Sequence, residues 1–235
     1  MAMTMTDFHS HILPNMDDGS QSVEMSLAML RLMAEQGITR VVATPHFYAH
    51  CDDPKHFLNR RAASEYQLRE AMADEPGLPE LIMGAEVLYF PGISHCEALR
   101  ELTMGGKNCV LIEMPLPPWT DSMYGELEQI HFQLGLLPMI AHVDRYIRPF
   151  CTYGIPRRLA ELPVLVQANG SFFQNRRTQK LAMRLLREGK IQALGSDCHD
   201  LEERPPQLAE TFREICRCCG QDALKRIEEI THVVF

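Results

Sequence analysis

Apolar and polar residues follow two rhythms along the chain: short apolar runs of strand length, and longer stretches with helical periodicity. The short runs are Met5–Phe8, Arg40–Thr44, Leu81–Val87, Cys109–Met114, Leu137–Ala141, Leu165–Asn169 and Gln192–Ser196. The clearest helix runs from Val23 to Gln36, with Met25, Leu27, Met29, Leu30, Leu32 and Met33 on a broad apolar stripe. Ser22 can cap its start, Glu24 suits the first turn and Gly37 ends it. Further helices are predicted over His56–Ala73, Ser122–Leu134, Asn175–Glu188, Gln207–Cys219 and Asp222–Ile230, with Gly135, Gly189 and Gly220 as stops. Seven strand–helix units predict an α/β fold with a mostly parallel sheet, either closed into a barrel or open and doubly wound. No GxGxxG follows the first strand, so the dinucleotide-binding form of the open sheet has no support.

The candidate chemistry lies where these runs end. After the first come His9 and His11, then Asp18; after the second, His46. The third ends at Glu86, the fourth at Glu113 and the fifth at His142, with Asp144 and Arg145 behind it. The sixth ends Gln167-Ala168-Asn169, and the seventh leads into Asp197 and His199. In extended backbone, residues i and i+2 point to one face, so His9 and His11 can aim two imidazoles at one point. Asp197 and His199 repeat that spacing. Parallel strands of a barrel bring their C-terminal ends to one face, where these five His and four carboxylates would meet. Nine ligands are too many for one ion, so two or three divalent metals are expected. A metal pair lowers the pKa of a bound water and clamps the attacking and leaving oxygens. Arg145 and Arg204 have the guanidinium suited to bidentate phosphate contact.

Composition narrows the alternatives. The 235 residues are 46% hydrophobic and 23% charged, ordinary for a globular protein. A net charge of -8 argues against a nucleic-acid partner, since such affinity comes from Lys and Arg on phosphates. The first residues lack the basic and apolar regions of a secretory leader, and no run is long enough to span a bilayer. The eight cysteines show no regular spacing, so free thiols in a reducing cytoplasm are expected. Cys216-x-Cys218-Cys219 has no matching second pair, and Cys198 should point away from its ligand neighbours. His50, His56, His95, His131 and His232 fall outside the strand-end pattern and read as surface or packing residues.

The segments DFHSHILPNMDDGS, ATPHF, GAEV, LIEM, AHVDRY, QANGS and SDCHDLEERPP, in this order, resemble the polymerase-and-histidinol-phosphatase (PHP) superfamily. Within it, the early DDG and the late SDxH with RPP behind it resemble the bacterial manganese-dependent tyrosine-protein phosphatases of capsule and exopolysaccharide operons. The resemblance implies a single domain over residues 1–235, folded as a distorted seven-stranded β/α (TIM-like) barrel of the PHP type. It implies a three-metal centre held by His9, His11, Asp18, His46, Glu86, Glu113, His142, Asp197 and His199. Arg145 and Arg204 match the family's phosphate-binding arginines. Manganese is the expected metal, with iron, magnesium or zinc as alternatives. The implied partner is the phosphotyrosine-bearing tail of a bacterial tyrosine kinase, and a homo-oligomer is compatible with the family. Phe47, Tyr48 and the loop from Pro115 to Trp119 follow ligand-bearing strands and could flank an aromatic substrate. Histidinol phosphate or another small monoester is the alternative substrate, and a non-catalytic regulator or a nuclease the more distant readings. Asp144 stands where Glu is common in this group, which leaves any supporting role there open.

Overall fold

The computed structural model describes residues 5–147 and 154–235. Among these residues are nine strands: β1 (Met5–Ser10), β2 (Ile38–Ala43), β3 (His46–Phe47), β4 (Glu80–Met83), β5 (Glu86–Leu88), β6 (Cys109–Glu113), β7 (Leu137–Ile140), β8 (Leu165–Asn169) and β9 (Ala193–Gly195). All pair in parallel, in two sheets of order β1-β2-β4 and β3-β5-β6-β7-β8-β9.

Two of the seven expected strand runs are therefore corrected. The third run splits in two at Gly84-Ala85, and the second is followed beyond Thr44-Pro45 by a separate two-residue strand, β3. Pro45 brings no N–H to the ladder there. Single hydrogen bonds cross the break: Thr44 N donates to Ser10 O (2.8 Å), Gly84 N to Ala43 O (2.8 Å) and Glu86 N to Pro45 O (3.0 Å). Beyond β9, Cys198 forms a parallel bridge with Ser10. The result is a curled parallel sheet in two segments.

The α-helices among the described residues are α1 (Val23–Glu35), α2 (Pro54–Met72), α3 (Asp121–Leu134), α4 (Gly154–Leu159), α5 (Gly170–Gln174), α6 (Gln179–Arg187), α7 (Ala209–Cys219), α8 (Gln221–Glu229) and α9 (Thr231–Val234). Ser22 caps α1 as predicted, accepting from Met25 N. The helix predicted over Asn175–Glu188 begins later, because the Thr178 hydroxyl donates to Phe172 O and ties the preceding turn back to α5. Neither α4 nor α5 carries enough periodicity to be foreseen.

Two apolar clusters follow from the period of two along each strand. Val41, Val110, Ile112, Ile140, Val166 and Leu194 belong to the large cluster that also holds the buried faces of the helices. Phe8, Val42, Cys109, Leu111, Met139, Ala141 and Ala193 form a second cluster with Met104 and Val234. The parity that carries Val42, Ile82, Leu111 and Ala193 leads on to His46, Glu86, Glu113 and Asp197. The inner face is thus apolar at strand starts and ligand-bearing at strand ends. Phe8 lies fully buried at its base, stacked on Phe235 with centroids 6.1 Å apart. Phe8→Ala should lower unfolding free energy by about 3–5 kcal/mol. Urea titration checks it; a loss below about 1 kcal/mol would contradict a packed inner cluster.

Candidate metal centre

The centre begins at β1. Pairing with β2 shifts register between Asp7 and Ser10. Such irregularities re-aim side chains, and Phe8 faces the inner apolar cluster while His9, one residue later, faces the centre. His9 Nε2 and His11 Nε2 approach to 3.1 Å. Their other nitrogens are held from behind: His11 Nδ1 lies 2.7 Å from Asp17 Oδ2, and His9 Nδ1 3.3 Å from Gln167 Oε1. A carboxylate on Nδ1 fixes the tautomer that leaves Nε2 free to ligate. Two glycines press against this pair. A Cβ on Gly19 would lie 2.3 Å from His11 O, and one on Gly195 would lie 2.5 Å from His9 Cβ.

Glu86 stands in the middle, fully buried. Its Oε2 lies 3.1 Å from His9 Nε2, 3.2 Å from His11 Nε2 and 3.1 Å from His46 Nδ1. None of these contacts has hydrogen-bond geometry; Glu86 Oε2 and His46 Nδ1 are buried without a hydrogen-bond partner, as is His199 Nε2. Buried polar atoms are ordinarily paired. Ligand atoms that crowd together without bonding one another have the arrangement a divalent cation satisfies. Three groups have ligand atoms within 4.8 Å of one another: His11, Asp18, His46 and His199; His9, His11 and Glu86; and His46, Glu86 and Glu113. Shared members join them into one cluster, and the mixed imidazole and carboxylate set fits a borderline-to-hard ion.

His142 and Asp197 close the ring. His142 Nε2 lies 2.9 Å from Glu86 Oε1 and 3.5 Å from Glu113 Oε1. Asp197 Oδ1 is 3.6 Å from both His9 Nε2 and His11 Nε2. Both residues have left-handed backbone, with φ of 31° and 53°. Ala141 has the inward parity of β7, so the turn at His142 swings the next side chain inward as well. Non-glycine residues in this region store strain, a feature that clusters at functional sites. Arg145 Nη2 donates to Asp197 Oδ2, and Arg204 Nη2 lies 2.7 Å from Asp197 Oδ1. Asp200 Oδ1 accepts from the backbone N–H groups of Glu202, Glu203 and Arg204, folding the loop that carries Arg204. Both arginines line a polar cleft of about 320 Å³ with Asn169, Ser171 and Gln207. A second cleft of about 590 Å³ flanks Asp18 and His46 and is lined by Met16, Tyr48 and Arg60. All nine sequence-predicted ligands thus meet in one cluster, with both arginines at its edge.

The profile of the family described as capsular polysaccharide synthesis, CpsB/CapC, matches residues 5–231. The chain belongs to that family. It is 24% identical to tyrosine-protein phosphatase CpsB of Streptococcus agalactiae, over 95% of this chain and 94% of that protein. To tyrosine-protein phosphatase YwqE of Bacillus subtilis it is 28% identical, over 85% of this chain and 79% of that one. Its fold superposes with a TM-score of 0.86, at 22% identity, on a crystal structure from work on YwqE of Bacillus subtilis and CpsB of Streptococcus pneumoniae, described as metal-dependent tyrosine phosphatases. That match covers 98% of this chain and 94% of the other.

In this CpsB/CapC chain two expected substrate-flanking residues are corrected. Phe47 is buried and packs edge-on against Phe57, because its parity is opposite to that of His46. Trp119 is bound to Pro115 O and packed on Tyr146, 4.9 Å between centroids. Tyr48 stacks on His46, 5.1 Å between ring centroids. Cys198 is buried in the outer core, away from the ligands. Cys219 contacts Met183, and Cys216, Cys218 and Cys219 enter no candidate metal group among the described residues.

Three supporting residues escaped the sequence reading. Asp17 orients His11 and also accepts from His46 N (2.8 Å). Gln167 accepts from His142 N (2.6 Å) and donates to Asn169, which donates to Asp197. Asp7 accepts from the Ser196 hydroxyl and the His9 and Ser196 N–H groups. The open question at Asp144 also closes: its Oδ1 accepts from Asn169 N (2.9 Å), fixing the turn after β8.

Electrostatics reflect the crowding. Burial pushes the Glu86 carboxyl up, yet His9, His11 and His142 outweigh it and hold it well below the usual range. Burial pushes His11 down, and the Asp17 and Glu86 carboxylates beside it override that, raising the imidazole to about 10. His199 goes the other way, pushed down to about 4 by burial and by the neighbouring His11 and Arg204 charges. Asp17→Ala should weaken manganese binding about 10–100-fold, the usual cost of losing a carboxylate behind a ligating histidine. Calorimetric titration checks it, and unchanged affinity would remove Asp17 from the site.

Proposed function

We propose that this chain is a metal-dependent protein-tyrosine phosphatase, a phosphomonoester hydrolase on a distorted seven-stranded β/α barrel. The observation that carries the reading is Glu86 Oε2 ringed by three imidazole nitrogens, beside an Asp197 carboxylate flanked by two guanidiniums. Cation ligands and anion donors therefore share one rim. The names of the CpsB and YwqE relatives support phosphotyrosine as the substrate. His9, His11, Asp18, His46, Glu86, Glu113, His142, Asp197 and His199 would hold two to three divalent ions, manganese first. When bound, the ions supply an activated water and positive charge against the phosphoryl oxygens.

The chain's own residues do the rest. Arg145 and Arg204 each have five N–H donors, so pairing with one Asp197 oxygen leaves others for phosphate. Asp197 holds both guanidiniums at the cleft, where phosphoryl charge requires stabilisation. Tyr48 and Met16 offer an apolar wall for the phenyl ring in the larger cleft. A phenolate, with a pKa near 10, leaves more readily than an alkoxide and makes a small demand on a general acid. The proposed substrate is the phosphotyrosine tail of a bacterial tyrosine kinase in capsule synthesis. Cytoplasmic action fits the unbridged cysteines among the described residues.

The test is manganese-dependent phosphate release from a phosphotyrosyl peptide and from histidinol phosphate. The peptide should be preferred, and chelation should abolish turnover and lower the melting temperature. Preference for histidinol phosphate, or full activity in His9→Ala, would overturn the reading; so would binding of phosphopeptide without release. Arg204→Ala should lower kcat by about 10²–10³, the scale for losing one transition-state donor. A change in KM alone would instead make Arg204 a ground-state contact.

A further inference from the structure

A second cationic surface lies outside the metal centre. Arg177, Lys180, Leu181, Arg184 and Arg187 line an open groove of about 520 Å³ along α6. The helical spacing of Lys180, Leu181, Arg184 and Arg187 puts these four on one face, and Arg177 stands in the turn before it. The other face of α6 buries Ala182, Met183, Leu185 and Leu186, so the groove rests on a fixed support. Arg31, Arg69 and Arg217 elsewhere on the surface pair with Glu75, Glu65 and Glu214. Arg177 and Lys180 are exposed and have no carboxylate partner among the described residues. Arg184 lies 3.9 Å from Glu188, and Arg187 donates to Cys218 O. Four cations in one groove run against the net charge of -8.

The chain runs from the arginine cleft to the groove through α5. Asn169, which donates to Asp197, immediately precedes α5; Ser171 lines the cleft, and Gln174 donates to Gln207 O in the cleft wall. The exposed Arg176 and Arg177 follow before α6 starts. From Lys180 to Arg187 the helix advances about 10 Å, room for about three residues of extended peptide, and Arg177 extends the groove beyond the helix start.

We infer that the α6 groove binds the acidic segment of polypeptide flanking the phosphotyrosine, an inference that rests on the phosphatase reading above. A phosphotyrosine carries about -1.5 to -2 charges. With neighbouring carboxylates or a second phosphotyrosine, such a segment meets a protein of the same overall sign. The groove supplies local complementary charge, which steers and orients a partner.

The test uses the manganese-loaded full chain, with R177E/K180E and R177Q/K180Q. The substrates are p-nitrophenyl phosphate, a phosphotyrosyl peptide with neutral flanks, and the same peptide with Glu flanks. For the Glu-flanked peptide, KM should rise about ten-fold in R177E/K180E and less in R177Q/K180Q, with kcat unchanged. The other two substrates should be unaffected, and the wild-type preference for Glu flanks should fade with salt. An unchanged KM, or an equal rise for all three substrates, would overturn the groove's role. Fluorescence anisotropy of the labelled Glu-flanked peptide separates the two readings. If the wild type hydrolyses no phosphotyrosyl substrate, the phosphatase reading falls, while peptide binding that survives R177E/K180E sinks the groove. Vesicles of phosphatidylglycerol are the rival. Charge-reversal-sensitive vesicle binding with an unchanged peptide KM would assign the groove to a lipid surface and overturn the inference.

Discussion

The structure turns on one buried carboxylate oxygen. Glu86 Oε2 is approached by imidazole nitrogens of His9, His11 and His46, yet makes no hydrogen bond with them. Desolvating a carboxylate without a partner costs several kcal/mol. A cation at this point satisfies the oxygen and the imidazole lone pairs together. The folded chain is therefore built around a charge that other groups must complete, and ion binding and folding are coupled.

The backbone carries the cost of that convergence. Register slips at β1; β2 and β4 end before the ligands His46 and Glu86 are reached, and His142 and Asp197 occupy left-handed backbone. Each such residue costs on the order of 1–3 kcal/mol and persists only where the surroundings fix it. Here the surroundings are the apolar layers on both faces of the sheet, together with Gly19 and Gly195, which leave space where any side chain would strike a histidine. Asp17, Gln167, Asn169 and Asp7 then fix the orientation of groups whose heads face the centre. The same network supplies the arginines with their anchor, since Asn169, Arg145 and Arg204 all meet on Asp197.

Much of this was legible in the sequence, for a physical reason. Strand-end residues of a parallel sheet share one face, so His9, His46, Glu86, Glu113, His142 and Asp197 could be brought together without coordinates. The extra strands were not legible, because Gly84-Ala85 reads as continuous with its apolar neighbours and nothing beyond Thr44-Pro45 marks His46-Phe47 as a strand of its own. Period-two parity, applied strictly, would have sent Phe47 to the outer core opposite His46. Asp17 was hidden by Asp18 beside it: sequence alone does not say which carboxylate turns back toward His11 and which reaches forward to His46 and His199. Gln167 carried no ligand chemistry of its own, and only its reach to His9 and His142 gives it a role.

The central claim is that the Glu86 oxygen and its three imidazoles are metal ligands rather than a buried ion-pair network. Anomalous diffraction from crystals grown with manganese tests it most directly. The account predicts two or three peaks inside the ring of nine residues, at least one within bonding distance of Glu86 Oε2. Absence of any peak beside Glu86, with the histidines instead hydrogen-bonded to the carboxylates, would contradict it.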